Sequence, residues 1–522
     1  MVKLESYLAG QWQAGSGEGE KLTDPVTGEV VATASAEGLD RKSALEFART
    51  KGNPALQQMT YKQRAELVGK IADVLSAKRT EYFEISRRNQ GTTEGDASFD
   101  VDGAIYTLKQ YAKWGQQLDG KWIKDGAQVP LSKTNSFVGQ HFQKPLEGVA
   151  VFINAFNFPA WGLWEKAAPA LVAGVPIFVK PATATAWLTQ QMVKDVVDAN
   201  ILPTGAISIL CGSAGDLLDH LREDDVVLFT GSAYTAGRIK SNANVIARSV
   251  RVNVEADSLN ATILGSDVAP GSPLLDLFVK EVAKEMTQKA GQKCTAIRRV
   301  LVPRAQAQAV GEAIAKRLAS TKVGNPANSE VRCGPVVSKA QQKSAQEGLA
   351  QLRKETKVVF GGEENFVPID ADGGKSSFIQ PTLLICDQPL QATAVHEVEV
   401  FGPAATILPY DSTEQAIEIA NRGGGSLVAS VFSNDAAFNR KVTLGISGLH
   451  GRVLVVDEAV NNQHTGHGNV MPNCLHGGPG RAGGGEELAG LRALQLYHRR
   501  FVVQGPPSLI ESIGAEAAVL TF

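Results

Sequence analysis

The sequence predicts an α/β protein with a parallel-sheet dinucleotide-binding domain, followed by a second α/β unit. Two observations predict it. Between Val149 and Glu255, short apolar runs alternate with helix-like segments, and from about Asn260 to Pro472 the alternation resumes. Strands separated by helices need crossover connections, which give a parallel sheet covered on both faces. At 522 residues the chain is also too long for one ordinary core, so two or three domains are expected.

The elements follow in order. Residues 1–40, rich in Gly and Thr with short strand-like runs, read as an irregular opening segment. Beyond Tyr61, Leu67, Ile71, Val74 and Leu75 recur at helical spacing, and a second helical stretch covers 106–114. Residues 129–143 alternate around Ser, Thr and Asn, as in a two-stranded ribbon turning near Thr134 and Asn135. Such a ribbon has little core of its own and is better stabilised on another subunit. In the first α/β unit, strands at 149–153, 177–179, 207–210 and 226–229 interleave with helices at 161–172, 185–198 and 214–221. Another helix follows Gly231 and Ser232, and the G-x-G-x-x-G fingerprint of many dinucleotide sites is missing. The second unit shows helices at 279–289 and 306–318, a strand at 300–302, and a helix then a strand within 336–360. Residues 461–485, dense in Gly, His, Asn and Pro, read as a long loop, which in compact domains is more often functional than incidental.

Composition removes several function classes. Hydrophobic residues are 43% and charged residues 20%, and the formal net charge is −2, so no basic stripe offers itself to nucleic acid or to a membrane surface. The first residues lack the apolar core of a signal peptide, and no apolar run is long enough to span a bilayer. Five cysteines, odd in number and far apart, do not form a disulfide framework, which points to a reducing cytoplasm.

Candidate chemistry sits mainly at strand ends. Cys294, in Gly291-Gln292-Lys293-Cys294, is a nucleophile if Lys293 or the nearby Arg298 and Arg299 lower its pKa, and a buried structural cysteine otherwise. Glu255 ends a strand, where a parallel sheet binds its ligands and a half-buried carboxylate serves as general base; a solvated loop glutamate fits as well. Asn157 follows the first strand of the unit, where its amide suits an oxyanion or merely a turn before Pro159. Phe229, Gly231 and Ser232 close a strand and open a helix whose free N–H groups suit a pyrophosphate, or form an ordinary capped turn. Lys180 ends another strand, within reach of ribose or phosphate oxygens, and Glu399 precedes the Phe401-Gly402-Pro403 turn, where it suits a ribose diol or a plain turn. His464, His467, Cys474 and His476 raise a zinc question, but no helix aligns the His-x-x-His pair and no second close pair exists, so no metal is expected.

Taken together the segments resemble the aldehyde dehydrogenase family over nearly the whole chain. Leu8–Trp12, Asp24–Val30, Asn157-Phe158-Pro159, Lys180-Pro181, Phe229–Ser232, Gly291–Cys294 and Glu399–Pro403 stand in the family's order. The resemblance implies NAD(P)-dependent oxidation of an aldehyde to a carboxylic acid through a cysteine thiohemiacetal and thioester. It casts Cys294 as nucleophile, Asn157 with the Cys294 N–H as oxyanion donors, and Glu255 as the base that activates water. Glu399 and Phe401 would hold the nicotinamide ribose, and Lys180, Ala182 and Thr183 the adenosine ribose. Ile153 and Asn154, through backbone contacts on the nicotinamide side, and Phe229, Gly231, Ser232 and Ala256 would complete the cofactor site. Family members that prefer NAD often carry Glu where Thr183 stands here; a hydroxyl neither chelates a diol nor repels a 2′-phosphate, so NADP is favoured with NAD possible.

The sequence departs from the usual pattern at Ala256-Asp257-Ser258, at 269–273, and at His476–Glu487. These features resemble a branch of the family that acts on CoA-linked semialdehydes from aromatic ring cleavage, as in benzoate catabolism, with 3,4-dehydroadipyl-CoA semialdehyde among them. The same resemblance divides the chain into 1–128 with 146–254 for the dinucleotide, 255–477 for catalysis, 129–145 with 499–522 as an oligomerisation ribbon, and 478–498 as a return segment. A homodimer is expected. Two alternatives stand beside this reading: a CoA-acylating dehydrogenase, against which Glu255 argues, and a non-catalytic protein reusing the fold.

Overall fold

Val226–Thr230 lies between two parallel neighbours, Arg251–Glu255 on one side and Ala150–Ile153 on the other. Ile177–Lys180 and Ile207–Ile209 continue the sheet in parallel. All five strands are short and almost wholly buried, as their Val, Ile and Phe content requires of a sheet covered on both faces. The chain leaves Ala150–Ile153 towards one edge and later returns to its other side at Val226–Thr230. A crevice therefore opens at the carboxyl ends of these two strands, where doubly wound sheets take ligands. The computed structural model describes residues 1–363, 366–460 and 463–520. Residues 461–462, heading the His-rich stretch, and 521–522, ending the C-terminal segment, lie outside the described residues.

The opening 40 residues are more ordered than their composition predicts. Ser6–Leu8 and Gln11–Gln13 extend the first sheet as antiparallel strands, while Val2–Leu4, Glu20–Thr23 and Val30–Ala34 form a small sheet of their own. Most of these strands pair with one another, but each is only three to five residues long, too short for a clear alternation; Ser6–Leu8 also pairs with distant Ile207–Ile209. The helix expected over 214–221 shrinks to a single tight turn at Leu217–His220.

Trp161–Ala173 packs beneath the crevice and is buried along nearly its full length. Its N-terminus has no cap of its own. Asp100, from the helix Glu94–Gly115, accepts the backbone N–H groups of Ala160 (3.3 Å) and Trp161 (2.7 Å) instead. This fixes the helix that carries Glu165 and Lys166.

The second seven-stranded sheet runs in the order Lys357–Phe360, Thr382–Ile385, Ala404–Tyr410, Arg299–Pro303, Ala261–Leu264, Ser426–Phe432, His450–Val456, parallel except for its first strand. The glycine-rich stretch after His476 then lies back on the first sheet. Ala256 N–H donates to Ala482 O and Gly485 N–H to Val254 O, both at 2.9 Å. A Cβ at Gly483 or Gly485 would collide with the Val254 backbone, so only glycine lets the chain lie this close. A four-stranded sheet completes the fold, in the order His498–Gly505, Val138–Pro145, Trp122–Pro130, Ala517–Val519. Its own core is small, built on Val138, Phe142 and Ile510, and Val129, Leu131, Phe137, Phe501 and Val502 stay exposed. The ribbon begins at Trp122, earlier than the alternation at 129–143 predicts, because its first half is paired rather than patterned. Among the described residues no helix is long and apolar enough to cross a membrane.

Candidate active site

Cys294 is presented by a turn that the sequence signals only through Gly291. The helix Pro273–Thr287 stops two residues short of the expected end, and Lys289, Ala290 and Gly291 follow with φ of 52°, 52° and 69°. A Cβ at Gly291 would overlap the Gly402 carbonyl, so this turn can press against the Phe401-Gly402-Pro403 turn only with glycine in place. Asn260 holds the other side: its amide donates to Cys294 O (2.8 Å) and Ala296 O (2.9 Å), while Ser258 Oγ donates to its oxygen. The thiol is thereby aimed at the end of the first sheet.

There it meets Glu255. The Glu255 carboxylate, the Cys294 sulfur and the His476 imidazole all lie within 4.8 Å of one another. Burial pushes the Cys294 thiol well above its ordinary pKa, and the facing Glu255 carboxylate pushes it further. The cations expected to do the opposite are turned away. Lys293 is bound to Glu285 (2.7 Å) and Gln288 (2.8 Å), Arg298 to the carbonyls of Gly402, Gly291 and Lys293, and Arg299 to those of Leu259, Ile419 and Ala420. Deprotonation of this thiol needs a base rather than a positive field, and Glu255 is the carboxylate in reach.

Glu255 is only 3% exposed, yet its carboxyl is held below the usual range: burial favours the neutral form, but His476 and Lys166 outweigh it. His476 Nε2 stands 2.8 Å from Glu255 Oε2. Behind them Lys166 sits between Glu165 (3.0 Å) and Glu487 (3.2 Å), wholly buried, and Asn253 donates to Glu487 (3.2 Å). Burial raises Glu487 to about 7. Asn157 donates one amide hydrogen to Gln292 O (3.1 Å), which leaves the second for the pocket it shares with Cys294.

Two openings meet at the thiol. A smaller pocket is walled by Phe99, Phe158, Trp161 and Val470 together with Cys294 and His476. The larger, a cleft of about 670 Å³, runs from Cys294 past the ends of the first sheet. Asn154, Lys180, Ala182, Thr183, Phe229, Gly231, Ser232, Ala256, Glu399 and Phe401 all line it; Ile153 does not, its side chain packing into the core beneath.

The cleft suits a dinucleotide. Both amide atoms of Asn154, the Thr230 hydroxyl and Glu399 Oε1 are buried without a hydrogen-bond partner, which is costly unless a polar ligand completes them. Glu399 is raised by burial to about 7 despite Arg298 at 3.8 Å, and Ser258 N–H donates to its other oxygen (3.2 Å). Burial lowers Lys180, with Glu20 opposing. At the helix Ala233–Lys240, Ser232 caps Thr235 N–H, and Asp257 already accepts Ala233 N–H (3.0 Å), so the free N–H groups expected there are partly engaged.

Sequence reasoning missed Asn260, Lys166, Glu165 and Glu487, and it placed His476 only in a loop. None of these has a local pattern: Glu165 and Lys166 are neighbours on one helix, but their other partners, like those of Asn260, Glu487 and His476, come from distant elements. The histidines of the loop separate: His467 bonds Ser430 Oγ (2.8 Å) in the core, His464 accepts Gly466 N–H (3.0 Å), and His476 alone reaches the thiol.

A profile of the Aldehyde dehydrogenase family matches residues 12–497. The 3,4-dehydroadipyl-CoA semialdehyde dehydrogenase of Aromatoleum evansii is 62% identical over 479 residues, 92% of this chain and 93% of that protein. The alpha-ketoglutaric semialdehyde dehydrogenase of Bacillus subtilis is 28% identical over 82% of this chain and 85% of its own length. The crystal structure of betaine aldehyde dehydrogenase from Staphylococcus aureus in complex with NAD+ superposes with a TM-score of 0.83, covering 97% of this chain and 95% of that one. At 23% identity that likeness is one of fold.

Proposed function

We infer the chemistry of this site from one premise: the chain belongs to the aldehyde dehydrogenase family and is an NAD(P)-dependent oxidoreductase that oxidises aldehydes. The observation that carries the assignment of roles is the meeting of Cys294, Glu255 and Asn157 where the dinucleotide cleft and the smaller pocket join. Glu255 takes the thiol proton, and the Cys294 sulfur bonds to the aldehyde carbon. Asn157 and the Cys294 N–H donate to the resulting oxyanion. Held by the cleft residues, a bound dinucleotide would supply the hydride acceptor for the thiohemiacetal carbon, whose oxidation leaves a thioester on Cys294. Glu255, which lines the open cleft, gives up the thiol proton to solvent; it then accepts a proton from water as the water adds to the thioester carbon, the carbon–sulfur bond breaks, and the acid leaves.

The substrate we propose is a CoA-linked semialdehyde from aromatic ring cleavage, 3,4-dehydroadipyl-CoA semialdehyde, supported by the Aromatoleum evansii relative. The aldehyde end of such a substrate has to reach Cys294, and the aromatic walls Phe99, Phe158 and Trp161 of the smaller pocket suit an unsaturated chain. Thr183 in the adenosine end of the cleft supports NADP over NAD. We place residues 1–128 and 146–254 with the dinucleotide, 255–477 with catalysis, and 478–498 as the return. The exposed apolar residues of the 129–145 and 499–522 ribbon support a homodimer, and the five free cysteines support a cytoplasmic setting.

Steady-state kinetics over a panel of aldehydes with both cofactors tests this. A medium-chain semialdehyde, free or CoA-linked, is turned over faster than acetaldehyde, free acid rather than a new thioester is the product, and Cys294→Ala is inactive. Equal efficiency with acetaldehyde defeats the substrate assignment, and residual turnover in Cys294→Ala defeats the mechanism.

A further inference from the structure

In hydrolysis Glu255, 3% exposed, must pass on the proton that the attacking water gives up. Its nearest neighbour is an imidazole. His476 Nε2 faces Glu255 Oε2 at 2.8 Å, and His476 itself is only 5% exposed. The strand Leu475–Gly477 holds it in register with Glu486–Leu488, where His476 pairs with Glu487. The ring also lines the smaller pocket, beside the sulfur.

We propose that His476 acts in hydrolysis through Glu255, accepting from it the proton that the attacking water gives up. This rests on the reading of Glu255 as the hydrolytic base. In the step, the water oxygen bonds to the carbonyl carbon of the Cys294 thioester, and one water proton passes to Glu255. Glu255 passes a proton from its other oxygen to neutral His476. The carbon–sulfur bond breaks with its electron pair on sulfur. The products are the carboxylic acid, a Cys294 thiolate and a His476 imidazolium, so one proton has moved from water to histidine and Glu255 ends as it began. His476 is thus a positioning and proton-holding residue, and its proton returns through Glu255 to the Cys294 sulfur as the acid leaves, restoring the thiol with which the cycle began.

The surrounding charges set when His476 can accept. Glu255 faces it from the first sheet, Glu165 from the helix Trp161–Ala173, and Glu487 from the adjacent strand. Lys166, held by Glu165 and Glu487, is the cation of the group, and the Cys294 thiol completes it. Burial alone would lower the imidazole, but the three carboxylates outweigh it and raise it above the ordinary histidine value. The accepting, neutral form therefore fills only as pH rises through that raised value, and thioester hydrolysis rises with it.

Pre-steady-state kinetics with hexanal and NADP tests this, the burst of reduced cofactor reporting acylation and the turnover after it reporting hydrolysis. In His476→Gln the burst persists and the later turnover falls at least about tenfold, within the range of general acid–base effects. The rise of that turnover with pH is lost. In His476→Ala, added imidazoles restore turnover, more so as their basicity increases. Rates are counted per burst, so misfolded sites drop out, and His476→Asn repeats the measurement. Wild-type turnover with its pH rise intact in His476→Gln and His476→Asn, or no rescue of His476→Ala despite a full burst, overturns the proposal. Glu255→Gln separates the two ideas. If it keeps turning over, the reading of Glu255 fails and takes this one with it; if it loses burst and turnover together while His476→Gln behaves as wild type, His476 alone is misassigned.

Discussion

Gly291→Ala tests the contact on which both halves of the site depend. The residue has φ of 69°, and its added Cβ would overlap the Gly402 carbonyl and lie 2.5 Å from Gly402 C and 2.8 Å from Pro403 N. Those atoms are backbone and cannot rotate aside. The left-handed conformation costs a non-glycine residue about 1–2 kcal/mol, and overpacking adds about 1–3 kcal/mol. The sum, about 2–5 kcal/mol, has two ways to relax. The Cys294 turn can withdraw from the cleft, or the Gly402 turn can move and carry Glu399 with it. Gly484→Ala is the internal control, because Gly484 has φ of 76° and its Cβ meets nothing within 4 Å. It should show only the conformational part. Urea denaturation of both variants reads the difference, and kinetics read which turn moves: kcat falls if Cys294 withdraws, cofactor KM rises if Glu399 does. A Gly291→Ala protein no less stable than Gly484→Ala, with unchanged kinetics, refutes the argument that this contact joins the two turns.

Three further outcomes are expected. Asn260→Ala strips two hydrogen bonds from the Cys294 and Ala296 carbonyls; at about 1–3 kcal/mol for each buried group left unpaired, stability falls by about 2–6 kcal/mol, and kcat falls more than cofactor KM changes. Glu399 is raised to about 7 in the fold. Neutral below its unfolded pKa, it adds no strain there, and stability is lost as pH rises from about 4.5 and levels off above about 7. Urea midpoints of Glu399→Gln should lack that decline, and an identical pH profile in the two proteins contradicts the assignment. Thr183→Glu places a carboxylate beside Lys180 in the cleft. The ratio of kcat/KM for NAD over NADP should rise at least about tenfold, worth about 1.4 kcal/mol; an unchanged ratio places cofactor choice elsewhere.

What the sequence by itself determined is the part governed by local order. Alternating apolar runs and helices between Val149 and Glu255 specify a parallel sheet, and strand ends specify where Glu255, Lys180 and Asn154 emerge, because a parallel sheet exposes its ligand-binding edge at those ends. Only the tertiary structure decided which charges face the sulfur. Lys293 is adjacent to Cys294 in the chain and points away into Glu285, whereas Glu255 and His476 come from distant strands and converge on it. The pairing of Ser6–Leu8 with Ile207–Ile209, the Asn260 hold and the Asp100 cap have the same origin. Each is a contact between segments far apart in sequence, and the direction of a side chain across such a contact is set by packing, which no periodicity encodes.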